Sequence, residues 1–347
     1  MQKKMRILIV AGVFLLLTTG IAIGAQWANP ELLITPEEVK ANIDKPDWVV
    51  IDARDLKDYA KGHIPGAISL GKRVKKALRD TTARVFTDVS KYEKLLGKAG
   101  IDNNTHVVFY HGDEKTLTDA TVGFWVMEYL GHDKVHFMDG GLEAWRNSGL
   151  RLEKDPTIKE PKTFTANVVA SRLATTDEIM DIATGKEANV QVIDSRSSKE
   201  HDGDDIRAIR GGHVPNTTIN VSHKDTMIKE LDKKTEKMEA TGFIDANAVQ
   251  EKFGVLDKSK RTIGYCQTGT RSTLTYLELR LLGFKDPANW DDSWRVYASD
   301  LAANRPVEAS NGAQWYNFDG VNKDLKKLKK QVKELEEALA ALKDTEK

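Results

Sequence analysis

The chain of 347 residues contains a single cysteine, Cys266. One thiol cannot form an internal disulfide, so the sequence excludes a disulfide-stapled scaffold. The chain also lacks a net charge, because its 52 acidic residues balance its 52 basic residues. We therefore expect no nucleic-acid partner, and any anion that the protein binds must be held by a local group of residues.

One long uncharged run is present, residues 7–25, and it follows a short basic head. This layout predicts either a signal peptide cleaved after small residues such as Gly24 or Ala25, or an uncleaved anchor in the inner membrane. The basic head stays in the cytoplasm in both cases, so the rest of the chain is exported. We expect residues 1–25 to be the signal or anchor and the protein to be periplasmic or otherwise extracytoplasmic.

The two halves of the chain repeat each other. Each half has an apolar strand followed by Asp-x-Arg and then by Gly-His-x-Pro. The matching segments are 48–70 with 190–221, 106–112 with 262–269, and 137–145 with 289–297. The offset between matching residues stays between 142 and 155 along the chain, which indicates a duplicated domain rather than a short-period repeat. A polar linker, residues 151–167, joins the copies, and we expect the lysine- and glutamate-rich insert 223–241 to be a solvated surface excursion.

Strands rich in β-branched residues alternate with amphipathic helices in each copy. Thr35-Pro36-Glu37-Glu38 is typical of a helix start with a capping box, and Thr176-Asp177-Glu178 begins the equivalent helix. Such alternation predicts an α/β fold with parallel sheets that are flanked by helices. Ligands of such folds bind at the carboxyl ends of the strands, which is where Cys266 falls.

A five-residue polar loop, residues 267–271, separates Cys266 from a leucine-rich helix over 272–282. The backbone N–H groups of this loop can form an anion-binding nest at the start of the helix. Arg271 adds a positive charge at a site that we expect to lack any other counter-ion. Together these features predict a thiolate, the reactive form of cysteine.

The combination of motifs resembles the tandem-domain rhodanese (thiosulfate sulfurtransferase) family over residues 32–302. The motifs are the repeated Asp-x-Arg and Gly-His-x-Pro, the loop Tyr-Cys-x-x-Gly-x-Arg and the late Asp139-Gly-Gly-x-x-x-Trp145. The resemblance implies a rhodanese-like domain over 32–150 that lacks the cysteine and a catalytic domain over 168–302. It implies that Cys266 takes sulfur from thiosulfate or another small inorganic or organic donor. The persulfide then passes sulfur to a thiol or cyanide acceptor, with no cofactor and no metal.

Seven residues are the candidates for the site. Cys266 is the predicted nucleophile, and the predicted substrate-binding residues are Gln267, Thr268, Gly269, Thr270, Arg271 and Arg196. For Arg196 a second interpretation is an ion pair with Asp194 that ties strand to loop, because Asp52 and Arg54 repeat the pattern in the other copy.

Three positions depart from the resemblance. Some tandem relatives have a substrate-binding arginine six residues after the Asp-x-Arg aspartate, where this chain has Glu200, so Arg207 or Arg210 could take that role. His111 stands where the first copy would need a cysteine, and histidine cannot form a persulfide, so we expect that copy to be inactive. The third position is Asp292, which stands in place of a loop glycine. Together with the missing arginine at Glu200, it lends weight to an alternative function, an exported sulfur carrier or scaffold with little turnover. A phosphatase is disfavoured because the loop is Cys-x4-Arg rather than Cys-x5-Arg.

The C-terminal tail has apolar residues in a heptad pattern over residues 321–345. The apolar residues are Leu325, Leu328, Val332, Leu335, Leu339 and Leu342. This narrow stripe predicts a helix that pairs with another chain in a coiled coil, and hence a homo-oligomer. The alternative is a surface helix docked on its own domain.

Overall fold

The computed structural model describes residues 27–232, 237–300, 302–309 and 328–337. The predicted signal or anchor segment and most of the predicted tail lie outside these ranges. Of the tail, residues 328–337 form an exposed helix, α12. Among the described residues, no helix is both long and apolar enough to span a bilayer.

The first half of the chain forms a sheet of five parallel strands in the order β1-β5-β4-β2-β3. The strands are β1 (Leu33–Ile34), β2 (Trp48–Asp52), β3 (Ile68–Ser69), β4 (His106–Tyr110) and β5 (Val135–Met138). The helices are α1 (Pro36–Asn42), α2 (Leu56–Tyr59), α3 (Val74–Ala77), α4 (Ser90–Lys98), α5 (Glu114–Tyr129) and α6 (Gly141–Asn147). Val49, Val50 and Ile51 are all buried, so helices cover both faces of the sheet at β2.

The second half repeats this topology in a sheet of order β6-β12-β11-β7-β8, also parallel. Its strands are β6 (Leu173–Ala174), β7 (Gln191–Asp194), β8 (Ile219–Asn220), β11 (Arg261–Tyr265) and β12 (Asp286–Trp290). Its helices are α7 (Thr176–Ala183), α8 (Ser198–Asp202), α9 (Ala246–Lys252), α10 (Ser272–Leu281) and α11 (Ser293–Ser299). The predicted α/β fold with two similar parallel sheets is confirmed.

Helix starts follow the sequence signals closely. Thr35 caps α1 in the predicted capping box, with Pro36 as the first helical residue. Helix α7 is capped by Thr175, one residue before the predicted start, and its side chain accepts a hydrogen bond from the N–H of Glu178 at 3.1 Å. A threonine cap leaves one fewer unpaired backbone N–H group at each helix start.

The histidines of the two Gly-His-x-Pro segments have matching structural contacts. His63 stacks on Tyr59 and His213 stacks on His201, with ring centroids 3.6 and 3.7 Å apart. The backbone of His213 also pairs in both directions with Glu308. Glu308 therefore lies against the second domain.

The two domains share one hydrophobic core across helices α5 and α10. Leu274, Tyr276, Leu277 and Leu281 of α10 belong to the same buried cluster as the first-domain core. The hydroxyl of Tyr276 donates to the buried Glu128 of α5 at 2.5 Å. Helix α10, which follows the cysteine loop, is therefore buried between its own sheet and the first domain.

The insert in the second copy is not a solvated excursion along its whole length, so that expectation is wrong. It forms an antiparallel hairpin of β9 (Met227–Asp232) and β10 (Lys237–Phe243). Met227 and Phe243, at the base of this hairpin, are buried, and the N–H of Phe243 donates to Oδ1 of Asp139 at 3.2 Å. The apolar residues that flank the charged run bury their side chains against the first domain.

Candidate active site

Cys266 lies directly after β11, at the carboxyl end of the second sheet, and its side chain is fully buried. Its carbonyl accepts a hydrogen bond from the N–H of Trp294 at 3.0 Å. Its own N–H donates to Oγ of Ser293 at 3.2 Å. Ser293 and Trp294, the first two residues of α11, therefore hold the backbone of Cys266 in place.

Backbone groups of the loop after Cys266 affect the thiol on one side and bind the neighbouring strand on the other. Hydrogen bonding from the backbone groups of Thr268 and Ser272 is among the causes that lower the pKa of the Cys266 thiol. The carbonyl of Gly269 points away and accepts from Nδ2 of Asn289 at 3.1 Å. The nest of backbone N–H groups around an anionic sulfur stays a prediction, and these contacts are compatible with it.

Gly269 makes the turn possible. Its φ of +65° lies in the left-handed region that side chains other than glycine rarely adopt. A Cβ at this position would also lie 2.6 Å from the backbone of Asp291. The loop can therefore pack against Asp291 only with glycine at this position.

Burial alone would raise the pKa of the Cys266 thiol. The charge of Arg271 and the hydrogen bonds from Thr268 and Ser272 act in the opposite direction and outweigh it, so the pKa lies below its ordinary value. A buried thiol without these contacts would stay protonated and unreactive. The site therefore stabilises the thiolate, the form that can attack sulfur.

Arg271 is itself paired with an acidic residue, Glu200, a contact that the sequence does not predict. Its two terminal nitrogens bind the two carboxylate oxygens of Glu200 at 2.7 and 2.8 Å. Glu200 is buried and also closes a capping box with Ser197 at the start of α8. This capping box directs the carboxylate of Glu200 towards Arg271 in the cysteine loop. Without this partner, the half-buried guanidinium of Arg271 would lower the stability of the fold.

Glu200 remains ionised in this environment. Burial by itself would raise its pKa, but hydrogen bonds and charge from Arg271, with the charges of Arg207 and Arg196, hold the pKa below its ordinary value. The guanidinium of Arg207 lies 3.7 Å from Glu200 and also pairs with Asp205. Arg207 is thus next to the site.

The other proposed substitute for the missing substrate arginine, Arg210, is directed elsewhere. Its guanidinium donates to the backbone carbonyls of Tyr297, Ala298 and Arg305. These contacts hold the chain segment after α11 against the second domain.

The contacts of Arg196 match the second interpretation, in which it forms an ion pair with Asp194. Its fully buried guanidinium pairs with Asp194 at 2.6 Å and donates to the carbonyl of Gly212 at 2.8 Å. Arg54 repeats both contacts in the first domain, with Asp52 at 2.5 Å and the carbonyl of Gly62 at 2.7 Å. Substrate binding by Arg196 stays a prediction that these contacts do not support.

In the first domain, His111 occupies the position of Cys266. Its carbonyl accepts from the N–H of Leu142 at 2.7 Å, as the carbonyl of Cys266 does from Trp294. Helix α5 begins at Glu114, capped by Asp113, so the chain has no five-residue loop here. Burial lowers the pKa of His111 to about 4, and neither ring nitrogen has a hydrogen-bond partner among the residues described. The residue is therefore a neutral, packed imidazole.

The first domain nevertheless reaches the cysteine loop through Arg79. Its buried guanidinium donates to Oγ1 of Thr270 at 2.9 Å and to the carbonyl of Gly269 at 2.6 Å, and it pairs with Asp291. Asp291 also accepts from the N–H of Val85 at 2.9 Å. Contacts between the domains thus hold the outer side of the loop while the inner side faces the sulfur.

Replacing Arg79 with alanine is expected to lower the free energy of unfolding by about 3 kcal/mol, because the buried Asp291 would lose its cation. The matched control is Arg84→Ala. Arg84 pairs with Asp292 at 2.6 Å, but its side chain is 44% exposed, so its loss should cost less than about 1 kcal/mol. Urea unfolding of both variants measures the difference. Equal losses would contradict the assigned role of the Arg79 ion pair.

Sequence reasoning missed the partners of the loop rather than the loop itself. In the sequence, Glu200 stands out only because it replaces an arginine, and its spacing from Ser197 is the local signal of its orientation. Arg79 carries no motif, because its role depends on how the domains pack. Binding of the donor by Gln267, Thr268, Gly269, Thr270 and Arg271 stays a prediction. The side chains of Gln267 and Thr270 are bound to Arg207 and Arg79 respectively.

Comparison with known proteins supports the duplicated architecture. The model of the rhodanese-like domain family matches residues 35–148 and again residues 176–300. A protein of Mycobacterium bovis named "Putative thiosulfate sulfurtransferase 1" is 31% identical over 292 residues, which cover 81% of this chain and 99% of that protein. The thiosulfate sulfurtransferase of Corynebacterium glutamicum is 27% identical over 305 residues, covering 83% and 94% of the two chains.

Solved structures share the fold at low sequence identity. The 3-mercaptopyruvate sulfotransferase SseA of Escherichia coli superposes with a TM-score of 0.63 at 20% identity, covering 78% of this chain and 99% of that one. EanB in complex with ergothioneine gives a TM-score of 0.70 at 20% identity, covering 82% and 71%. At this identity the likeness describes the fold alone.

Proposed function

Because the chain belongs to the rhodanese family of sulfurtransferases, we propose that it transfers sulfane sulfur through a persulfide on Cys266. The donor is thiosulfate or a similar small sulfur compound, and the acceptor is a thiol or cyanide. One observation carries this proposal. The N–H groups of Thr268 and Ser272 and the charge of Arg271 all lower the pKa of the one cysteine in the chain.

The chemistry requires a preformed nucleophile and no general base. The Cys266 thiolate attacks the outer sulfur of thiosulfate, a new S–S bond forms, and the bond to the inner sulfur breaks. Sulfite leaves with the electron pair of that bond. Cyanide then attacks the outer sulfur of the persulfide, and thiocyanate leaves as the thiolate is restored. The predicted nest of N–H groups suits both states, because sulfur carries negative charge before and after transfer.

The first domain, in this proposal, supports the cysteine loop without taking part in the chemistry. Its His111 is neutral and packed, whereas its Arg79 binds the outer face of the loop. This division gives the first domain a role although it lacks the nucleophile.

Purified protein tests the proposal when it is incubated with thiosulfate and then with cyanide. We expect thiocyanate to form at many turnovers per chain. Intact-mass analysis before cyanide addition should show a gain of one sulfur atom that maps to Cys266. Absence of both thiocyanate and the mass gain would reject sulfur transfer by this site.

A sulfur carrier with little turnover is the second candidate. One observation favours it, namely that Arg271 is already bound by Glu200 and so is not free to assist the leaving group. The same mass measurement separates the two functions. A sulfur adduct on Cys266 that cyanide does not remove identifies a carrier, and an adduct that cyanide removes repeatedly identifies the enzyme.

We also propose that the protein is exported and acts outside the cytoplasm. Support comes from the basic head and the uncharged run over residues 7–25. Cell fractionation followed by N-terminal sequencing tests this. A mature chain that begins near Gln26 in the periplasm identifies a cleaved signal, and an intact N-terminus in the inner membrane identifies an anchor.

The tail is proposed to join copies of the chain through its apolar stripe. Leu328, Val332 and Leu335 are all more than half exposed on helix α12. Replacing Leu335 with aspartate should therefore convert an oligomer to a monomer in sedimentation experiments, since a buried charge at the seam is unfavourable. Glu336→Gln, off the stripe, is the control. A wild-type protein that is monomeric at all concentrations would exclude this role.

A further inference from the structure

The charged groups nearest to Cys266 leave a net negative charge, although the proposed donor is itself an anion. Arg271, the cation next to the sulfur, is bound on both terminal nitrogens by Glu200. Glu200 is 1% exposed, so little solvent screens its charge. The thiolate, Arg271 and Glu200 together therefore carry a net charge of one negative unit.

Neighbouring cations are also paired with acids. Arg207 contacts Asp205 and Glu200, and Lys224, on the chain segment after β8, pairs with Glu114 of the first domain. Burial and the charge of Arg271 lower the pKa of His223 to about 3, so this histidine is neutral. These groups supply no uncompensated positive charge to attract a doubly charged donor.

Building on the proposed function, we infer that Glu200 determines donor specificity by charge and favours singly charged sulfur donors over doubly charged ones. The favoured donors are organic thiosulfonates and organic persulfides. In a thiosulfonate, an organic group replaces one charged oxygen of thiosulfate. In a persulfide, an organic thio group replaces the whole sulfonate. For a thiosulfonate, the thiolate attacks the outer sulfur, the S–S bond to the sulfonyl sulfur breaks, and the sulfinate leaves with the bonding pair. The same atoms move as with thiosulfate, but one negative charge fewer approaches Glu200.

Thiosulfate and methanethiosulfonate form a matched pair of probes, because a methyl group in the second replaces one charged oxygen of the first. Glu200→Gln keeps the length of the side chain and its capping contact with Ser197, since glutamine also serves in a capping box. The substitution removes the charge and one of the two oxygens that accept hydrogen bonds from Arg271. We expect kcat/KM for thiosulfate to rise about tenfold relative to kcat/KM for methanethiosulfonate, because the dianion is repelled about twice as strongly as the monoanion.

The ratio of kcat/KM for thiosulfate to kcat/KM for methanethiosulfonate cancels any effect that acts equally on both donors. A change in the pKa of Cys266 alters both rates equally and leaves the ratio unchanged. Glu38→Gln is the control, since Glu38 closes a capping box of the same kind at the start of helix α1 in the first domain. A ratio that stays within twofold of wild type in Glu200→Gln overturns the inference. If neither donor places sulfur on Cys266 in the wild-type protein, the proposed function itself fails.

A measurement on the wild-type protein covers the case in which Glu200→Gln does not fold. Sulfate and methanesulfonate are unreactive analogues with two charges and one charge. Each can protect Cys266 from alkylation by iodoacetamide, which is uncharged. We expect methanesulfonate to protect at a concentration at least about fivefold lower than sulfate. Equal or better protection by sulfate overturns the inference.

Discussion

Replacing Cys266 with serine is expected to reduce thiocyanate formation by about a thousandfold or more, because a serine hydroxyl neither ionises near neutral pH nor forms a persulfide. The fold should persist, since serine is close in size to cysteine and keeps the backbone contacts with Trp294 and Ser293. Thiocyanate release and intact mass after thiosulfate treatment both measure the outcome. No sulfur adduct should be found on the variant.

The control for this substitution is His111→Ser in the first domain. His111 occupies the equivalent position but is a neutral packed imidazole, so its replacement should leave sulfur transfer within a few-fold of wild type. Turnover by Cys266→Ser close to wild type would show that sulfur is transferred elsewhere on the protein. The identical residue introduced at the two equivalent positions thus distinguishes the active copy from the inactive one.

Removing the guanidinium in Arg271→Ala is expected to reduce kcat/KM for the donor about ten- to a hundredfold, the range for loss of a charge-assisted contact. Two physical effects contribute. The pKa of Cys266 rises because the charge of Arg271 is one of the causes that lower it. Glu200 is also left buried without its cation and repels both the thiolate and an anionic donor.

The dependence on pH separates the contributions. A pKa effect shrinks as pH rises, because the thiol of Arg271→Ala ionises at higher pH, whereas loss of donor binding persists at every pH. Alkylation of Cys266 as a function of pH reports its ionisation directly. The midpoint of that curve should move upward in Arg271→Ala, and Arg271→Lys should restore part of the shift but not the two-pronged contact with Glu200.

A double substitution isolates the charge of Glu200. Arg271→Ala with Glu200→Gln removes both members of the ion pair, so no unpaired buried charge remains. We expect the double variant to be more active than Arg271→Ala alone, since paired groups in contact are not additive. Donor use that is unchanged in Arg271→Ala at every pH would show that the arginine has only a structural role.

Much of the architecture is readable from local patterns. The duplication follows from the repeated Asp-x-Arg and Gly-His-x-Pro segments, and the parallel sheets follow from strands that alternate with helices. Runs such as Val49, Val50 and Ile51 are apolar on both faces, which only a covered sheet can accommodate. The charged centre of the insert 223–241 dominates its composition and so predicts a solvated segment, whereas the buried Met227 within it and Phe243 just after it decide where it packs.

The sequence by itself determined the nucleophile loop and the conformation it needs. One cysteine, a glycine three residues later and a helix start are local features, and the backbone of so short a segment can form few alternatives. The tertiary structure alone decided the charge state of the site. Glu200 lies 71 residues before Arg271, and Arg79 lies 190 residues before Gly269. Electrostatic pairing depends on distance in space and on burial, and neither quantity is encoded in a local motif.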